Sequence, residues 1–326
     1  MSEPSVDPLF GCWFLTGATA GGKTAVGIEL AERLGAEILS LDSMAIYRGM
    51  DIGTAKPSTE QRSRVTHHLL DLIDPTDAFS VSQYRDRAFE TIAEVRSRGN
   101  RVLFVGGTPL YLKALLRGIF EGPAADWDFR REIEAEIERH GVEALHERLK
   151  LVDPLAAHKL HPHDRRRLIR ALEVHHVTGQ PISHLQLEFD EPVSDRPVPV
   201  FVLHHERERL HRRIEERVEG MFAAGLVDEV RALLARHGEL GRTAGQAVGY
   251  RETIEHLSAQ FDLPTCIERV KARTRQFARR QETWFRSFDE ARFIELGEPV
   301  DRTSLVERLV RDGHEIESRA AGAGRR

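Results

Sequence analysis

Lys23 and Thr24 close the run Gly17-Ala18-Thr19-Ala20-Gly21-Gly22-Lys23-Thr24, which satisfies the spacing G-x-x-x-x-G-K-[ST]. Residues of these types at this spacing bind phosphate. Backbone N–H groups of a glycine-rich turn form a cup, a lysine reaches the phosphate oxygens, and the next hydroxyl ligates Mg²⁺. A di- or triphosphate is therefore expected on residues 17–24, with Lys23 on its oxygens and Thr24 on a Mg²⁺ cofactor. A second reactive group is Asp42, in Leu41-Asp42-Ser43-Met44. A carboxylate beside a phosphate loop can act as general base on a nucleophile that attacks a bound phosphate ester. Its bland alternative is a helix cap or an outer partner of Mg²⁺. P-loop hydrolases usually end a strand in an aspartate that holds the metal. The obvious strand for that role, Val102 to Val105, ends in Gly106-Gly107-Thr108, which argues against ordinary hydrolysis.

These groups need a scaffold that brings them together. Four apolar runs read as buried parallel strands: 12–16, 38–41, 102–105 and 198–203. Helical patterns lie between them, clearest at 23–34 and 84–98. The alternation predicts an α/β fold, a P-loop NTPase-like core whose parallel sheet is flanked by helices. In such sheets ligands lie beyond the strand C-termini, here Gly17 onward, Asp42-Ser43, Gly106-Gly107-Thr108 and His204-His205. Between Pro123 and Pro197 the texture changes to charged helical stretches, 129–150 and 164–177, separated by prolines. Residues 8–123 and 197–312 are thus expected to form the catalytic core, with 124–196 a helical insertion and 313–326 a disordered tail. The pattern from 206 to 311 reads as helical, with Gly238-Glu239-Leu240-Gly241 as a loop.

The formal net charge is −5, so any nucleic-acid surface must be local. Two segments concentrate base: 159–170, with Lys159, Arg165, Arg166, Arg167 and Arg170 against Asp164, and 267–286, where seven basic residues face Glu268 and Glu282. In the second, Val270, Phe277 and Trp284 recur at helical spacing and predict a buried stripe with basic shoulders. Arg207, Arg213 and Arg217 either reach the phosphate or pair with neighbouring glutamates on a helix surface. Lys56 either reaches phosphate or is solvated, while Trp13, Trp127 and Phe201 read as core. His67 and His68, adjacent on an extended segment, point opposite ways and make a poor joint metal site. Cys12 and Cys266 are too few for a zinc site or a disulfide framework. No apolar run is long enough to span a membrane and no leader precedes Pro8, so a cytoplasmic protein without membrane contact is expected.

Several segments resemble the tRNA dimethylallyltransferases, also called tRNA isopentenyltransferases, of bacterial type. They are Gly17–Thr24; Asp42-Ser43-Met44-Ala45-Ile46-Tyr47-Arg48-Gly49-Met50-Asp51-Ile52-Gly53-Thr54-Ala55-Lys56-Pro57; His67-His68-Leu69-Leu70-Asp71; Gly106-Gly107-Thr108-Pro109-Leu110-Tyr111; Arg167 to Val174; Val248-Gly249-Tyr250-Arg251-Glu252; and Arg280-Gln281-Glu282-Thr283-Trp284-Phe285. The resemblance implies transfer of the five-carbon unit of dimethylallyl diphosphate to the exocyclic amine (N6) of adenosine 37 in tRNA, just 3′ of the anticodon, with release of diphosphate. It implies that Asp42 takes the amine's proton, that Lys23 and the loop stabilise the departing diphosphate, and that Thr108 touches the reacting nucleotide or Asp42. It further implies tRNA contacts from Asp42, Ser43, Met44, Ala45, Thr108, Arg130, Arg166, Arg167, Leu168, Ile169, Arg170, Arg251, Arg279, Arg280 and Arg286. The partners would be a tRNA anticodon stem-loop, gripped in part by the helical insertion, and dimethylallyl diphosphate, the protein acting as a monomer. Departures from the family pattern are Ala18 and Gly21 for proline and serine, Ala45 and Arg166 for glutamine, and Arg279 for lysine. Two rivals share the motifs: a P-loop small-molecule kinase, and an adenylate isopentenyltransferase, which would have no use for a basic 267–286 helix.

Overall fold

The computed structural model describes residues 7–120, 122–187, 193–194 and 197–323. The chain divides into two compact units, Met1–Leu115 with Val193–Arg326, and Leu116–Pro192. The second unit thus begins some residues before the expected boundary at 124, within the helix α4 defined below.

In the first unit the chain runs β1 (Cys12–Gly17), α1 (Lys23–Leu34), β2 (Ala36–Leu41), α2 (Thr59–Arg64), β3 (His67–His68), α3 (Val81–Ser97), β4 (Arg101–Gly106) and α4 (Pro109–Arg117). The strands form one parallel six-stranded sheet in the order β3-β2-β4-β1-β5-β6, completed by β5 (Val200–His204) and β6 (Ala291–Glu295). Every residue of β1 and β2 is buried, as both faces of a parallel sheet are covered. Phe14 and Phe104 stack across β1 and β4 with ring centroids 4.8 Å apart. The four predicted strands are present with ends moved by one to two residues. β3, expected only as an extended segment at His67-His68, and β6 are not among the four predicted strands. β3 is only two residues long, and β6 is an edge strand in which Ile294 alone is buried, so neither carries an apolar run.

After β5 come α10 (Arg207–Ala223), α11 (Leu226–His237), α12 (Tyr250–Leu257), α13 (Leu263–Phe285), β6, and α14 (Arg302–Ala323). The expectation of a disordered tail from 313 is corrected over the described residues: α14 continues through Ala323. Leu305, Val306, Leu309 and Ile316 share the core around Trp13, and Trp13 Nε1 donates to Glu317 Oε1 at 2.8 Å. Gly313 lies flat on the Trp13 ring, where any Cβ would overlap it; that glycine hid the helix from the sequence pattern. Residues 324–326 lie outside the described residues.

The second unit holds α5 (Trp127–His140), α6 (Val142–Val152), α7 (Pro154–Lys159), α8 (Arg165–Thr178) and α9 (Ile182–Leu187) around Phe129, Ile133, Leu145, Leu149, Leu168 and Leu172. The stretch 129–150, read as one helix, is two, because Gly141 at φ 81° ends α5.

Candidate active site

α1 begins at Gly22, whose φ of 86° admits glycine readily, and it has neither a side-chain cap nor an acid in its first turn. Its first N–H groups therefore have no intrahelical acceptor and face the loop unopposed. They open on a cavity of about 560 Å³ lined by Thr19 to Ala25, and also by Ser40, Asp42, Gly106, Gly107, Arg213, Arg217, Phe277 and Gln281. The sheet thus delivers its phosphate loop, the carboxylate after β2 and the turn after β4 to one pocket, as topology predicted.

Lys23 Nζ donates to the carbonyls of Gly17 at 3.0 Å and Ala18 at 2.7 Å. Burial, then the Arg217 guanidinium, push its pKa down to about 7, while Asp42 opposes them. An anion in the pocket would reverse that balance. Arg213 Nε donates to Ala20 O at 2.8 Å, and Arg217 lines the same wall. Burial lowers Arg217's pKa, with Asp42 raising it and Arg213 lowering it further. The two arginines stand one helical turn apart on α10, on one face. Arg207 is exposed and lies outside the pocket lining. Of three arginines that composition could not rank, Arg213 and Arg217 line the pocket and Arg207 does not. Alternation with glutamates had masked them.

Asp42 Oδ1 accepts from the N–H groups of Met44 at 2.8 Å and Ala45 at 3.3 Å. Oδ2 makes no hydrogen bond among the described residues. The carboxylate therefore caps its own turn with one oxygen, the alternative that the sequence offered to a general base, while Asp42 also lines the pocket. Thr108 meets Ser43 instead of Asp42 itself: its Oγ1 accepts from Ser43 N at 3.0 Å. Thr24 and Asp42 offer a hydroxyl and a carboxylate to one cavity. No group of three His, Cys, Asp or Glu able to hold a metal occurs among the described residues. That sparse oxygen set fits Mg²⁺, which is held by one or two carboxylates together with substrate phosphates.

The conspicuous run Asp51 to Pro57 proves to be a support. Glu229 on α11 accepts from Asp51 N at 3.0 Å and Ile52 N at 2.8 Å, and Tyr250 OH donates to it at 2.5 Å. Lys56 Nζ donates to Tyr47 O, Asp51 Oδ1 and Asp71 Oδ1 at 2.5–2.7 Å, with its side chain 1% exposed, so it is paired and not solvated, although Thr54 to Pro57 also line the cavity. His68 Nε2 lies 2.5 Å from Glu37 Oε2, while His67 Nδ1 lies 2.7 Å from Val65 O.

Several of the residues expected at the tRNA have partners within the protein. Leu168 and Ile169 are core residues, 0% and 7% exposed. Arg130 grips Glu173 with two hydrogen bonds of 2.7 and 2.8 Å, and Arg170 reaches the same carboxylate at 2.6 Å. Burial pushes the Glu173 carboxyl up, but hydrogen bonds from Arg130, Arg170 and Asp126 N–H hold it below the ordinary range. Both arginines are thus structural partners of a buried acid. Arg167 pairs with Asp164 at 3.4 Å and Arg251 with Glu255 at 2.8 Å. Arg166 is exposed on α8. Trp127, read as core, is 52% exposed.

On α13 the buried face is Cys266, Val270, Thr274, Ala278, Gln281 and Phe285, whereas Phe277 is 37% exposed and lines the pocket. The predicted stripe at every seventh residue drifts off the face of a straight helix. Its basic residues also divide. Lys271, Arg273 and Arg275 pair with Glu219, Glu252 and Glu215 at 2.8–2.9 Å. Exposed Arg279, Arg280 and Arg286 form no ion pair among the described residues; Arg280 rests over Phe277 and Arg286 over Phe293.

Comparison with known proteins agrees with this arrangement. The IPP transferase family profile matches residues 45–288. The chain belongs to the IPP transferase family. A Rhodopirellula baltica protein named tRNA dimethylallyltransferase is 52% identical over 286 residues, spanning 85% of this chain and 86% of that one. The crystal structure of the full-length tRNA isopentenylpyrophosphate transferase from Bacillus halodurans superposes with a TM-score of 0.67 at 36% identity, covering 94% of this chain and 98% of that one. A eukaryotic dimethylallyltransferase acting on tRNA gives a TM-score of 0.73 at 25% identity, over 87% of this chain and 73% of its own. Family and fold class thus agree with the sequence reading: an α/β transferase with a P-loop NTPase-like core.

Proposed function

We propose that this protein transfers the dimethylallyl group of dimethylallyl diphosphate to N6 of adenosine 37 in tRNA, beside the anticodon. The N6 nitrogen attacks C1 of the dimethylallyl group, the C1–O bond breaks, diphosphate leaves with the electron pair, and the amine proton passes to Asp42 Oδ2. The observation that carries this reading is a carboxylate oxygen, without a hydrogen-bond partner among the described residues, on a residue that shares one cavity with an intact phosphate loop. Lys23, the first-turn N–H groups of α1, Arg213 and Arg217 hold the diphosphate and stabilise the charge that grows on it. Thr24 would hold Mg²⁺, together with phosphate oxygens and with Asp42 close by; when bound, it draws charge from the leaving group. Asp42 orients the weakly nucleophilic amine and removes its proton. Arg279, Arg280 and Arg286 supply phosphate contacts for the anticodon stem-loop, and the protein acts as a monomer.

Nucleoside mass spectrometry of unmodified tRNA incubated with the protein, Mg²⁺ and dimethylallyl diphosphate tests the reading. N6-isopentenyladenosine at the position 3′ of the anticodon is expected. Phosphoryl transfer from ATP to a small alcohol, with no prenylated nucleoside, would replace it by the kinase reading. Prenylation of free adenine nucleotides but not tRNA would favour the adenylate enzyme.

A further inference from the structure

Gln281 is polar, 4% exposed, and placed on the buried face of α13. Both ends of its carboxamide are used. Oε1 accepts from Thr19 N in the phosphate loop at 2.9 Å, and Nε2 donates to Gly107 O in the turn after β4 at 2.5 Å. That turn is closed tightly around it: a Cβ on Gly107 would stand 2.6 Å from Gln281 Nε2, 3.1 Å from Gly17 O and 3.4 Å from Lys23 Nζ. The next residue, Thr108, anchors its N–H on Leu41 O at 3.1 Å and accepts from Ser43 N at 3.0 Å, on either side of Asp42. A continuous chain of hydrogen bonds therefore runs from the phosphate loop through Gln281, Gly107 and Thr108 to the segment that carries Asp42.

We infer that Gln281 is a positioning residue, the link that fixes the spacing between the diphosphate-holding loop and the proton-accepting carboxylate through Gly107 and Thr108. This rests on the prenyl-transfer reading and adds a residue to it. Each half of the site keeps its own ligands if the link is cut: Lys23, Arg213 and Arg217 on one side, the Asp42 turn on the other. What is lost is their mutual placement. A misplacement of about 1 Å between reacting partners costs up to roughly 10²-fold in rate. A buried glutamine in a merely structural place would change stability and leave the chemical step alone.

Gln281→Met keeps length while removing both hydrogen bonds, Gln281→Glu keeps only the acceptor for Thr19 N–H, and Thr108→Val cuts the chain at its far end. Single-turnover prenylation at saturating tRNA and dimethylallyl diphosphate is measured beside the binding constants for inorganic diphosphate and tRNA. Gln281→Met and Thr108→Val are each expected to lose roughly 10²-fold in the transfer rate with both binding constants unchanged, while Gln281→Glu loses the rate and also weakens diphosphate binding, because its carboxylate enters the anion pocket. The Gln281→Met/Thr108→Val double variant is expected to be no slower than the slower single one, because both cut one chain. An unaltered rate in Gln281→Met, losses that multiply in the double variant, or a loss confined to diphosphate affinity would overturn the inference. Should Gln281→Met not fold, Gln281→Glu and Thr108→Val decide in its place. A second readout does not depend on catalysis: inorganic diphosphate should shift the Ser43 amide resonance in the wild type, and the shift should vanish in Gln281→Glu. Wild-type protein that fails to prenylate tRNA would remove the functional reading, while the Ser43 resonance would still decide the link.

Discussion

Lys23 is enclosed beside Arg217, and in the ligand-free site its pKa is pushed down to about 7. A bound diphosphate favours the charged amine, so the lysine's pKa in the complex must lie above that value. Between the two values binding takes up a proton, and the affinity contributed by Lys23 falls as pH rises through the window. Calorimetric titration of diphosphate near pH 7.5, in buffers of different ionisation enthalpy, reads this uptake. More proton uptake is expected in the wild type than in Lys23→Arg, whose guanidinium stays charged; equal uptake would place Lys23 outside the anion's reach. His205 beneath the loop is a different case. Burial drops its pKa to about 4, and its Nε2 lies 3.2 Å from Gly21 O, so it supports the loop as a neutral ring.

The elements behind the site are as constrained as the site itself. Gly53 lies against the ring of buried Tyr250, within van der Waals contact of where a Cβ would stand. Gly53→Ala must displace that ring and its bond to Glu229, so a loss of about 1–3 kcal/mol in denaturant stability is expected. An unchanged unfolding midpoint would mean that the 51–57 turn is not packed on α12. This turn illustrates what a sequence can tell. Its residues marked the family, yet their bonds to Glu229, itself held by Tyr250, could not be read locally, because those partners lie far along the chain. The strands and α1 were legible since apolar runs ended in Gly17, Asp42, Gly106 and His204. The buried face of α13 was not, because polar Thr274 and Gln281 occupy it while Phe277 turns outward. Arg130 is expected at the tRNA through the family resemblance alone, and its buried partner Glu173, whose side chain is 0% exposed, lies 43 residues away in sequence, whereas for Arg170 that partner stands three residues on.

At the scale of the molecule, the net charge of −5 makes pairing decisive for RNA binding. Acids of α10 and α12 neutralise the N-terminal half of α13, leaving Arg279, Arg280 and Arg286 as its unpaired cations among the described residues. Arg280→Ala is therefore expected to weaken tRNA binding and to reduce the log–log salt slope by roughly one, with diphosphate affinity unchanged. Arg275→Ala, which frees Glu215, should leave that slope nearly as it was. Equal effects of the two substitutions would mean that pairing does not select the RNA-facing residues. No helix among the described residues is long and apolar enough to cross a membrane.

The most direct measurement is the single-turnover transfer rate of Asp42→Asn, taken with its affinities for tRNA and inorganic diphosphate. The amide oxygen can still accept from Met44 N–H and Ala45 N–H, which keeps the turn, but an amide cannot take the proton of N6. A fall of roughly 10²–10⁴-fold in rate with both affinities unchanged is expected. Turnover at the wild-type rate would contradict the central claim that this carboxylate is the proton acceptor beside the phosphate loop.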